Sequence, residues 1–155
     1  MYHKKHKQPS GLTFIEIMVA SVVLIIAVIG TSAYRYNASL NLRRAKLKTT
    51  ASRTGVLLCE SWRGISDPNS FEPADTFGSQ LTIAEESGGI SAPSGFNLHD
   101  VYKITIEGVD YYAVLSWKDI SVGLRALNVE IWWNQRGNNE DEVDKVFKMT
   151  TYITL

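Results

Sequence analysis

Residues 12–33 read LTFIEIMVASVVLIIAVIGTSA, an apolar run interrupted by one acid, Glu16. At ~1.5 Å rise per residue the run makes about 30 Å of helix, the thickness of a bilayer's hydrocarbon core. Its length, and the absence of any proline from Leu12 to Arg63, predict one long helix that starts apolar. Phe14, Val19, Leu24, Ile29 and Ala33 mark the face-independent hydrophobicity expected of a membrane span. Before it lie Lys4, Lys5 and Lys7 with His3 and His6 and no acid, so the positive-inside rule places the N-terminus in the cytoplasm and the remainder across the membrane.

Outward from this segment, the charges separate. The 155 residues hold 16 basic and 16 acidic side chains, which gives no bias toward nucleic acid. Removing residues 1–11 leaves 13 basic against 16 acidic residues, a formal charge of −3. The basic excess therefore belongs to the N-terminus. Glu16 sits about one turn inside the apolar run, where an ionised carboxylate is costly and is usually paired or functional. An ordinary secretory signal has a shorter apolar core that ends in a small-residue cleavage site. Here the obvious break, Ser10-Gly11, precedes the core. A cut there would discard the charges and keep the helix.

The order Gly11-Leu12-Thr13-Phe14-Ile15-Glu16, behind a basic leader and ahead of a long apolar helix, resembles the processing motif of type IV prepilins. The resemblance covers about the first quarter of the chain. It implies that Gly11 is the last leader residue, read by a membrane-embedded prepilin peptidase at the cytoplasmic face, and that Leu12 becomes the N-methylated new N-terminus. It implies further that Glu16 accepts the Leu12 amine in an assembly charge pair, within its own chain or from a neighbouring subunit. The expected partners are other pilin or pseudopilin subunits, an inner-membrane assembly platform and membrane lipid. The expected localisation is single-pass in the inner membrane, then in a filament. This sequence departs from the commonest pattern in having Leu rather than Phe at the new N-terminus. It also lacks the helix-breaking proline of many major pilins, with Ala33 in that region and Gly30 nearby, which points to a minor subunit and a straighter helix.

Beyond the span, Ala33, Tyr36, Leu40, Leu47, Ala51, Leu58 and Trp62 recur at sums of three and four, as one face of an amphipathic helix does. Arg35, Asn41, Arg43, Lys46, Lys48, Ser52, Arg53 and Arg63 fill the rest, a solvated or inter-subunit face. Gly64 and Asp67-Pro68 are the stop. The stretch from Ser66 to Gly95 reads as connecting loops with a short strand candidate near Leu81 to Ala84. Then Val101 to Glu107 alternates Tyr102, Ile104 and Ile106 with polar residues, and a Gly108-Val109 turn leads into Tyr111 to Trp117. A second hairpin pairs Ala126 to Trp133 with Asp144 to Leu155. Leu127, Val129, Ile131 and Trp133 share one face; so do Phe147, Met149, Thr151, Ile153 and Leu155. The pair Trp132 and Trp133 should place one ring in the core and one outside.

The expected architecture is α+β and pilin-like: a leader at 1–11, a membrane or filament-core helix at 12–33, an amphipathic helix at 34–64, and a head at 65–155 with about four antiparallel strands covered by the helix. The second hairpin is similar to the C-terminal hairpin of minor pilins and secretion pseudopilins. No enzyme is expected. With His3 and His6 in the leader, His99 is the lone histidine left, too few for a two-histidine zinc site, and no phosphate-cradling loop is present. No cofactor, metal or catalytic residue is expected. Glu140-Asp141-Glu142 with Asp144 lacks the spacing of a calcium loop and reads as a solvated turn. Cys59, the lone cysteine, reads as a small buried hydrophobe. Three functions fit: a minor pilin of a type IV pilus, a pseudopilin of a type II secretion system, or an uncleaved single-span anchor for a β-rich domain.

Overall fold

The computed structural model describes residues 13–86, 89–135 and 143–155. Helix α1 runs Phe14–Arg63, 50 residues without interruption. It ends as expected: the Gly64 N–H closes the last turn on the Glu60 and Ser61 carbonyls, at 3.0 and 3.1 Å. The chain divides into two units, one ending at Arg43 and the other running from Arg44 to Leu155. In the first unit every described side chain is exposed except the half-buried Leu40. This is the one helix long and apolar enough to cross a membrane among the described residues.

The second unit is a two-layer α+β head. Its sheet has five antiparallel strands, not four, in the order β1(Thr82–Glu85), β2(Asn97–Ile106), β3(Val109–Ser121), β4(Leu124–Trp133) and β5(Lys145–Thr154). The extra strand is the short candidate near Leu81, which pairs along β2 with Ile83 opposite Ile104. Four residues carry little periodicity, and the pairing that makes them a strand is tertiary. A 3₁₀ turn at Pro68–Ser70 and a five-residue helix α2(Pro73–Phe77) precede it, each opened by a carboxylate cap and a proline.

The segment of α1 from Arg44 onward covers one face of this sheet. Leu47, Ala51, Leu58, Cys59 and Trp62 pack against Tyr102, Ile104, Tyr111, Ala113, Leu115, Leu127, Val129, Ile131 and Trp133. The expected face of β4 points into this core, and that of β5 meets its margin through Phe147, Met149 and Ile153, whereas Leu155, expected on the same face, lies past the end of β5 and is exposed. The helical face is shorter than its periodicity suggested: Ala33 and Tyr36 are exposed, and burial in the head begins at Leu47. At Gly55 the helix comes so close to β5 that an added Cβ would lie 2.8 Å from the Phe147 ring. The β2–β3 turn is one residue earlier than expected. Ile106 pairs with Val109, leaving Glu107 and Gly108 as a two-residue turn at φ 52° and 75°. Positive φ at both positions is the mirror-image turn whose twist suits a hairpin.

Candidate functional site

The residues that resemble a processing motif straddle the start of the described chain. Gly11 and Leu12, on which the expected cut, the expected methylation and one side of the expected charge pair fall, lie outside the described residues. Glu16 is located. It lies in the first turn of α1, and its Oε2 accepts from the Thr13 N–H at 2.7 Å and from the Thr13 hydroxyl at 2.8 Å. In return the Glu16 N–H reaches back to Thr13 Oγ1 at 3.4 Å. This reciprocal arrangement is a capping box: it gives the Thr13 N–H an acceptor and adds a second, longer contact to the Glu16 N–H, which the Thr13 carbonyl also accepts at 3.0 Å. Thr13 was not singled out from the sequence, although Thr13-x-x-Glu16 ahead of an apolar run is the recognised signature of such a box. Glu16 Oε1 makes no hydrogen bond among the described residues.

Downstream, Phe14, Val19, Leu24 and Ile29 are 78, 59, 66 and 65 % exposed, and Ala33 is exposed as well. The polar side chains within the span turn inward on their own helix. Ser21 donates to the Ile17 carbonyl at 2.8 Å, Thr31 to Ala27 at 2.9 Å and Ser32 to Val28 at 2.8 Å. Each hydroxyl is thus satisfied without water, the condition that a hydrocarbon surrounding imposes. The segment combines an apolar surface, internally satisfied hydroxyls and one carboxylate at its entry. It can insert in lipid or pack among other apolar helices.

The head holds several chemically notable groups. Cys59 is fully buried, and burial, reinforced by Glu60, pushes its thiol up. His99 is in hydrogen-bond contact with the Phe71 carbonyl at 2.9 Å and lies against Trp62, so it is engaged in holding the 65–71 segment. Glu130 is buried on the sheet face away from α1 and is paired to Lys148 at 2.9 Å. Trp133 enters the core as one of the pair had to, but Trp132 is half-buried and not exposed, with the Lys148 ammonium 5.6 Å above its ring. Among the described residues no group of three or more His, Cys, Asp or Glu side chains could hold a metal ion. Of the acidic turn, Glu140, Asp141 and Glu142 lie outside the described residues. Asp144 is described and pairs with Lys145 at 3.1 Å.

No protein-family model matches this chain, and neither the curated proteins nor the solved structures include a significant match to it.

Proposed function

We propose that this chain is a prepilin-like structural subunit, a minor pilin of a type IV pilus, whose role is assembly and not catalysis. The observation that carries the reading is Glu16: one carboxylate at the entry of an otherwise apolar, exposed helical segment, five residues after Gly11. A plain anchor has no use for that charge, which is costly in lipid. A subunit that gains an amine at Leu12 on leader removal does. The capping box occupies Oε2 and leaves Oε1 for the Leu12 ammonium, so one carboxylate can close the helix start and receive the charge.

In this reading the precursor waits in the inner membrane with its basic N-terminus in the cytoplasm and its head outside. Prepilin peptidase removes residues 1–11, and the assembly platform moves the helix from lipid into a bundle of like helices. Lipid and bundle are equally apolar, so the transfer supplies little driving force, and packing with charge pairing must supply the rest. The α+β head on the second half of the helix is the layout this role requires. No nucleic acid is a partner.

Two substitutions test the reading. Glu16→Ala is expected to leave the protein inserted and processed, with its amount in sheared filaments falling several-fold. Normal incorporation would remove the pairing role. Gly11→Leu is expected to retain the leader, and mature protein from that variant would refute the assigned cut.

A further inference from the structure

Two groups of charges in the head have no counter-charge within ion-pair distance among the described residues. On α1, Arg44 and Lys48 are exposed and form no ion pair among the described residues, whereas Lys46 between them is held by Glu107. At 3.6 residues per turn, Arg44, Lys48 and Gly55 fall within about 20° of one stripe of the helix. Gly55 abuts Phe147 of β5, so the two cations project on the β5 side. The opposite edge of the sheet is acidic. Glu85 ends β1 directly across from Tyr102, and the next residue, Glu86, donates its N–H to the Val101 carbonyl at 2.8 Å. The Tyr102 hydroxyl donates to Glu72 at 3.1 Å. Burial, and after it the nearby Glu72, Asp100 and Glu85, push the Tyr102 phenol well above its ordinary range. Glu72, Glu85, Glu86 and Asp100 form no ion pair among the described residues.

We propose that the Arg44–Lys48 stripe of one copy docks on the acidic β1 edge of a second copy of this chain. The inference rests on the assembly reading above and names the contact between heads. The sequence supports the pairing on a larger scale: residues 34–53 hold six basic side chains and no acid, while residues 54–155 hold 15 acidic and seven basic. Opposite charges on different patches of one molecule make a head-to-tail contact, which need not close on itself and can propagate as a filament. A lipid surface would satisfy the cations and leave the acidic edge without a role, so a second copy is the better occupant. Charge of this kind sets register and partner choice more than it adds raw affinity.

The test is charge-swap complementation with the full chain in zwitterionic micelles, association being followed by sedimentation. The wild type is expected to associate at low salt and to weaken at high salt. Arg44→Glu/Lys48→Glu and Glu85→Lys/Glu86→Lys should each weaken association about tenfold when alone. Mixed together, the two variants should recover it, because each supplies the patch the other has reversed. Recovery also shows that both fold. Unchanged association of either variant alone, or failure of the mixture to recover, would overturn the contact. So would a charge effect seen only in micelles doped with an anionic phospholipid, which would assign the cations to lipid. Processing at Gly11 is read separately from the N-terminal mass, so loss of this contact and loss of the prepilin reading are distinguishable.

Discussion

Trp62 ties the end of α1 to the segment that follows it. Its indole N–H donates to the Pro68 carbonyl at 2.7 Å, and its ring stacks on Phe71 with centroids 5.9 Å apart. Trp62→Phe keeps an aromatic ring but leaves that buried carbonyl without its donor and opens a small void. A loss of about 1–3 kcal/mol is expected, read as a lower denaturation midpoint with an unchanged slope. Cys59, one residue-scale expectation that the structure meets, lies in the same layer at 0 % exposure. Its thiol should resist a maleimide reagent in the folded protein and react on denaturation. Rapid labelling of the native chain would place Cys59 elsewhere. That it would be buried was legible because a lone cysteine usually acts as a small hydrophobe. The roles of Thr13 and Gly55 were not. Thr13 matters only once its hydroxyl is seen on Glu16, and Gly55 only once Phe147 is seen against it.

Elements of ten residues or more were legible with their buried faces, whereas of the shorter ones only the strand near Leu81 was, and that without its place in the sheet, for a physical reason. The long helix and the four long strands carry enough periodicity to declare one buried face each. The strand Thr82–Glu85 and the helix Pro73–Phe77 exist because β2 and the capping carboxylates hold them. The helix–sheet contact predicts its own weak point. Gly55→Leu would drive a side chain into the Phe147 ring, and overpacking of this kind costs about 1–3 kcal/mol even where leucine favours the helix. Adding Phe147→Ala should recover part of that loss, and a melting temperature no better than that of the single variant would refute direct contact. The β2–β3 turn offers the opposite sign. Glu107 adopts a positive φ that a glutamate tolerates poorly, and its ion pair with Lys46 is 65 % exposed on both sides and so worth little. Glu107→Asn creates the Asn-Gly sequence this turn prefers. It should raise the melting temperature by a few degrees, whereas a fall would mean that the ion pair outweighs the turn.

For the whole molecule, several buried or paired groups titrate late. Tyr102 and Tyr111 are both raised, first by burial, Cys59 is raised by burial, and Lys46 is raised by its hydrogen bond to Glu107. Each folded value exceeds the unfolded one, so each contribution is full below the unfolded value and is lost as pH rises through the folded one. The stability of the head is therefore expected to be flat near neutrality and to fall above about pH 9, where the unfolded chain begins to release protons that the folded chain keeps. Thermal melts from pH 7 upward check this, and a melting temperature that rises with alkalinity would contradict it. At this scale the fold class was legible, because one uninterrupted helix followed by alternating strands leaves few ways to cover an apolar sheet. The candidate site is read from the sequence as a motif resemblance, and of its residues the structure locates Glu16. The account as a whole turns on what happens at Gly11. Mass spectrometry of the N-terminus, on protein recovered from native membranes or sheared filaments, tests it most directly. The account predicts a mature peptide that begins at Leu12 and carries one added methyl group. An intact leader beginning at Met1, in cells with active prepilin peptidase, would contradict it and leave an uncleaved membrane anchor.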